Sequence, residues 1–234
     1  MFPLRDDQPT FSTPFITYFL IALNLLVYFL EWQLNLQNPR AANLTVFQFA
    51  VVPAREVGLL TGVPAFSPLL AVLPMFTSMF LHAGWWHVIT NMWMLWIFGD
   101  NIEDYLGHFP YLVFYLLCGL AAGFTHILFN AASRAPTVGA SGAIAGVMGA
   151  YLVLYPRARV LTWFFFIIIL PFPAWLWLII WALQQFLSGA AASLAPATQA
   201  GGIAFWAHVG GFVVGILLIE LFPQRRNRRR YGTW

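Results

Sequence analysis

Thr137-Val138-Gly139-Ala140-Ser141-Gly142-Ala143-Ile144-Ala145-Gly146 is the stretch from which the fold is read. A hydroxyl stands between glycines, and the apolar run around it continues to Tyr155 without a charge. An uncharged run of this length reads as a membrane-crossing helix. Glycine beside serine clears room for another backbone, or a substrate, to approach. Two other apolar runs carry polar residues at a similar distance from their starts: His87 with Asn91, and His208.

The whole chain has the same character. Of its 234 residues 61% are hydrophobic, 18% aromatic and 8% charged, where a soluble domain carries about 25% charged residues. With a mean hydropathy of +0.76, an integral membrane protein follows. The net charge of +3 comes from arginine alone, and five of the eleven arginines lie between Arg225 and Arg230. A basic cluster just past an apolar helix suits an anionic leaflet of the lipid bilayer, and no nucleic-acid partner is expected. The single cysteine, Cys118, excludes an internal disulfide and a multi-cysteine metal site. No metal and no cofactor are expected.

Residues 14–32, 86–99, 110–129, 139–155, 160–186 and 202–222 are the candidate spans. The expected fold is an all-α membrane protein. It is a six-transmembrane-helix bundle with a large, partly interfacial first loop over residues 33–85. The loop is too apolar for a free linker and is expected to form a hairpin-like lobe against the bundle. The chain is expected to be one membrane domain, 1–234, with a short N-terminal segment 1–13 and an arginine-rich tail 223–234. No signal peptide is expected at the N-terminus. Pro171 and Pro173 should kink or break the fifth helix. Arg157 and Arg159 follow the fourth run, and the arginine cluster follows the sixth. The bias puts both termini on the inner, cytoplasmic side.

In that topology the second, fourth and sixth helices all begin at the outer face. His87, Ser141 and His208 then lie within a turn or two in depth, roughly 5–10 Å below the boundary. Intramembrane polar groups are costly and mark functional sites. His87 and Asn91 are four apart on one helix face. His208 shares a stripe with Gly211 and Gly215, and Ser141 precedes Gly142 and Gly146; small-residue stripes let membrane helices approach closely. An imidazole within reach of the serine would activate it as a nucleophile. His87, Asn91 and the Ser141 backbone N–H are suitable donors to an oxyanion. Singly, each feature is commonly packing or interhelical hydrogen bonding; together at one depth they argue for a site. His126 is a rival base, since it too lies near the outer face. His82 is expected to pin the first loop to the bundle and His108 to be solvated. Tyr151, Tyr155 and Gln184 are candidate polar guides.

Three motifs in order carry a resemblance: His82 and His87-Val88-Ile89-Thr90-Asn91, then Gly139-Ala140-Ser141-Gly142, then Ala207-His208-Val209-Gly210-Gly211 with Gly215. With Phe98-Gly99-Asp100-Asn101-Ile102-Glu103-Asp104 and the long apolar first loop, the chain resembles the rhomboid family of intramembrane serine proteases, in its bacterial form. The resemblance implies Ser141 as nucleophile, His208 as general base, and an oxyanion hole of His87, Asn91 and the Ser141 amide. It implies cleavage of transmembrane protein substrates near the outer face, typically after small residues. It also implies lateral admission past the fifth helix, a cap near residues 187–199 and, from its bacterial form, a bacterial plasma membrane as the location. No aspartate completes a triad. Ala145 stands where some members carry an aromatic ring against the base, so another group has to hold the imidazole. No Trp-Arg pair lies in residues 33–85.

The competing classes lack their own signatures. No His-Glu-x-x-His helix is present for a metalloprotease. Asp100 and Asp104 share the inner end of one helix, which does not suit an aspartyl protease. A transporter would accommodate a broken helix, but no internal repeat is detectable. A non-catalytic relative that binds membrane proteins would typically lack the serine or the base. The oligomeric state is not legible.

Overall fold

A computed structural model describes residues 1–60, 68–164, 167–194 and 204–225. The elements in order are β1 (Phe2–Asp6), α1 (Phe15–Gln37), α2 (Pro39–Phe49), α3 (Pro53–Leu60), α4 (Pro68–Thr77) and α5 (Trp85–Leu106). They continue with α6 (His108–Phe129), α7 (Ser141–Leu154), β2 (Arg159–Phe164), β3 (Ile168–Pro173), α8 (Ala174–Leu194) and α9 (Phe205–Ile219). The fold is mostly helical. By length and composition α1, α6 and α8 are able to cross a membrane, while α7 and α9 are shorter apolar helices. Helix α5 has 22 residues and is acidic only near its C-terminal end.

Helix α7 is the centre of the bundle. Every residue from Gly142 to Tyr151 is buried, as expected of a helix that is apolar all round. It packs against α9, α6 and α5. Its glycines set the spacing: a Cβ on Gly211 would overlap the Gly142 carbonyl oxygen, and one on Gly215 would overlap that of Gly146. The peripheral helices turn Phe19, Leu26 and Leu30 of α1, and Leu183 and Leu187 of α8, outward. Such continuous apolar exterior suits hydrocarbon, not water.

The all-α expectation is corrected by a three-stranded antiparallel sheet in the order β1-β2-β3. Phe2 lies opposite Trp163 and Asp6 opposite Val160; Arg159 lies opposite Pro173 and Phe164 opposite Ile168. Residues 160–173 therefore form most of a hairpin, not the first half of a kinked helix. The cause is local. Val160, Thr162, Ile168 and Ile169 favour the pleated surface. Pro171 and Pro173 cannot donate to a helix and sit on the edge strand, where a missing N–H is tolerated. The N-terminal segment supplies β1.

The first loop is helical, not hairpin-like. Pro39 and Pro53 each open a helix, where their missing N–H costs nothing, and the Asn38 side chain caps α2 by accepting from Ala41 N–H at 3.0 Å. Helices α3 and α4 lie on α6, and α2 lies on α1.

The acidic end of α5 ties the N-terminal segment down. Glu103, fully buried, accepts from the N–H groups of Ile16 (2.8 Å) and Thr17 (2.7 Å) and from Thr17 Oγ1 (2.7 Å). A carboxylate at the start of α1 satisfies orphan donors and meets the positive end of the helix dipole. Asp104 accepts from Ser12 and Phe11, and Asn101 Nδ2 donates to the Gln8 carbonyl at 3.1 Å. Of the arginine-rich tail, residues 226–234 lie outside the described residues, as do residues 195–199 of the expected cap.

Candidate active site

Ser141 is the first residue of α7, His87 the third of α5 and His208 the fourth of α9. All three side chains therefore leave the first turn of their helices at one end of the bundle. The close contact of α7 with α9 brings His208 Nε2 to 2.7 Å from Ser141 Oγ. That is hydrogen-bond distance for a nucleophile and its base. The Ser141 backbone N–H is in the first turn of α7, where helix geometry provides no partner.

His87 and Asn91 meet the same loop from α5. Gly139 has φ +128°, a conformation open to glycine. A Cβ there would lie 2.9 Å from His87 Nε2 and 3.7 Å from Asn91 Nδ2. The Ala83 N–H donates to His87 Nδ1 at 3.3 Å, so the ring proton is on Nε2, facing the loop that carries Ser141. Asn91 Nδ2 is buried and has no partner among the described residues. Two side-chain donors thus stand uncommitted beside the serine loop.

The other histidines are engaged differently. His126 Nδ1 accepts from Asn130 Nδ2 at 3.4 Å, and Nε2 donates to Thr137 Oγ1 at 2.9 Å. It pins the segment leading to Ser141 and does not meet the hydroxyl. His82 ties the loop down through its backbone N–H, which Glu31 accepts at 3.2 Å, and not through its ring. That ring is packed edge-on to His87 at 5.1 Å, and burial pushes it down to about 3, so it stays neutral. His108 is not simply solvated, since its Nδ1 lies 2.6 Å from Glu103 Oε1.

Two residues of the site were not read from the sequence. Gln185 Oε1 lies 2.8 Å from His208 Nδ1, and the Trp181 ring lies 5.9 Å from the imidazole at 33°. Both reach His208 from α8, and Ala145 carries no ring that could do so. Of the Gln184-Gln185 pair the sequence reading chose Gln184, which is exposed, whereas Gln185 is buried. The available signal was the spacing Trp177, Trp181, Gln185, Gly189, four residues apart on one face. Tyr151 is not a guide in the site; its hydroxyl donates to Asp6.

A cavity of about 730 Å³ opens from Ser141 and His208 between α5 and α8, walled by Trp177 and Trp181 and floored by Phe2 and Pro3. Among the described residues no group of three His, Cys, Asp or Glu side chains has the arrangement of a metal site.

The model of the Rhomboid domain matches residues 70–225. The chain belongs to the rhomboid family. Rhomboid protein 1, mitochondrial, of Saccharomyces cerevisiae is 31% identical over 168 residues, covering 67% of this chain and 45% of that protein. The human presenilin-associated rhomboid-like protein, mitochondrial, is 31% identical over 188 residues, covering 75% and 45%. RHOMBOID-like protein 1 of Arabidopsis thaliana is 33% identical over 177 residues, covering 68% and 39%. This rhomboid thus spans less than half the length of these relatives. The family is one of intramembrane proteases acting on membrane proteins. The bacterial form and bacterial plasma membrane expected from the resemblance are corrected by these relatives, which are eukaryotic and in two cases named mitochondrial. Arginine bias orients helices relative to a membrane but carries no information about which membrane it is.

Proposed function

We propose that this rhomboid is a serine endopeptidase that cuts transmembrane segments of membrane proteins. The observation that carries the reading is the 2.7 Å contact between Ser141 Oγ and His208 Nε2. Ser141 Oγ attacks the scissile carbonyl carbon as His208 Nε2 takes its proton. The carbonyl oxygen becomes an oxyanion, met by Nε2–H of His87, Nδ2–H of Asn91 and the backbone N–H of Ser141. His208 then protonates the leaving amine, and an acyl-Ser141 ester remains. A water that gives its proton to His208 hydrolyses the ester and restores the serine.

Six spans serve this reading: α1, α5, α6, α7, α8 and α9. The substrate segment approaches through the cavity between α5 and α8, and the cut falls near the membrane face at which α5, α7 and α9 begin. The mitochondrial names of the yeast and human relatives suggest a mitochondrial membrane. Fractionation of the source cells should recover the chain there, and recovery in another membrane would reject that setting.

The test is labelling of the detergent-solubilised protein with a fluorophosphonate, with the modified residue identified by mass spectrometry. Label on Ser141, lost in Ser141→Ala and His208→Ala and kept in His126→Ala, is expected. A folded wild-type protein that takes no label would reject the reading.

A further inference from the structure

We infer that Gln185 of α8 is a positioning residue that holds His208 in the tautomer able to act as a base. The inference rests on the Ser141–His208 reading above. A neutral imidazole carries one proton, and a base must present its lone pair at the nitrogen facing the serine. That nitrogen is Nε2, so the proton has to be on Nδ1. Gln185 Oε1 faces Nδ1 at 2.8 Å. An amide oxygen only accepts, so this contact favours the Nδ1–H tautomer. After Nε2 takes the serine proton, Nδ1–H still donates to the same oxygen, and the imidazolium keeps its orientation.

The surroundings leave this task to Gln185. Ala145 offers no ring to His208, and Trp181 covers one side of the imidazole without a hydrogen bond to it. Among the described residues the titratable groups that act on His208 are the imidazoles of His87 on α5 and His126 on α6, and neither is an acid. Gln185 is itself buried, at 8% exposure, so water competes weakly for Nδ1. The nucleophile and base sit on α7 and α9, which the glycines lock together, while the tautomer is set from a third helix. Trp181 and Gln185 are one turn apart on α8, so the docking of that helix determines whether the base is competent.

The experiment measures cleavage of a transmembrane substrate in proteoliposomes, with kcat, KM and the pH profile of kcat/KM. Gln185→Leu is expected to lower kcat about 10- to 100-fold, the usual cost of losing an orienting partner, with KM within about twofold. Gln185→Glu is expected to keep most of kcat and to move the acid limb to higher pH by about one unit, because a carboxylate favours the imidazolium. Gln184→Leu, on the exposed side, is the control. Wild-type kcat and an unmoved limb in Gln185→Leu would overturn the inference. So would equal loss in the Leu and Glu variants with unmoved profiles, which is the signature of packing. If Gln185→Leu fails to fold, nitrogen-15 spectra of the unmodified protein, assigned with His208→Ala, decide: a proton on Nδ1 supports the inference and a proton on Nε2 rejects it. Full activity of Ser141→Ala would instead reject the dyad, so the two failures are distinguishable.

Discussion

The carbonyl oxygen of Gly142 lies where a Cβ on Gly211 would have to stand. Gly211 is three residues beyond His208, and Gly142 follows Ser141. The dyad distance and the helix separation are therefore one quantity. Gly211→Ala should push α9 from α7, cost about 2–3 kcal/mol through overpacking, and abolish fluorophosphonate labelling. Leu217→Ala, on the outward face of α9, should leave both nearly unchanged. Thermal unfolding and labelling of the two variants check this, and full labelling of Gly211→Ala would refute it.

Asn91 Nδ2 is a buried donor with no partner among the described residues. If it serves an oxyanion, Asn91→Ala should lower kcat by about 10²- to 10³-fold with little change in KM. Thermal stability should hold, because removing an unpartnered donor leaves no acceptor unsatisfied. Steady-state kinetics alongside a melting curve separates this from a structural role.

Glu103 joins α5 to the start of α1 by three hydrogen bonds. Glu103→Ala strands buried donors and should cost about 3 kcal/mol. His108→Ala removes only a half-exposed partner and should cost less than about 1 kcal/mol. Equilibrium unfolding in mixed micelles gives both numbers, and equal losses would contradict the assignment.

Asp6, outside the spanning helices, is raised to about 6 by burial in spite of the Tyr151 hydrogen bond. A carboxyl whose folded value lies above its unfolded value binds its proton more tightly when folded. Its contribution to stability is therefore complete below about pH 4 and is lost as pH rises to about 6. His82 acts in the opposite sense, since its folded value is depressed and folding excludes its proton. The difference in stability between wild type and Asp6→Asn isolates the first effect. It should shift against wild type as pH rises from 4 to 6 and be flat above 7; a flat difference throughout would exclude it.

The sequence reading reached furthest where one side chain states its own cost. A serine, two histidines and an asparagine in uncharged apolar runs are expensive, and that cost singles out Ser141, His208, His87 and Asn91 as candidates, which the fold brings to one end of the bundle. It failed at residues 160–173, where apolar content was read as a span and the β-branched residues and prolines were given too little weight. It also passed over Glu103, whose value depends on α1 lying against α5. Gln185 was missed for a similar reason. Adjacent residues on a helix point about 100° apart, and only packing decides which of Gln184 and Gln185 faces inward.

By itself the sequence determined that the chain is apolar enough for a membrane, that α7 and α9 carry glycine faces, and that a serine and a histidine lie beside those faces. These are properties of composition and of helical period, which each segment carries alone. The tertiary structure decided which histidine meets Ser141, what holds the far nitrogen of His208, and that the N-terminus forms a strand at the foot of the cleft. Each of these depends on atoms far apart in the chain, and the contact free energy that selects among them exists only once the helices have packed.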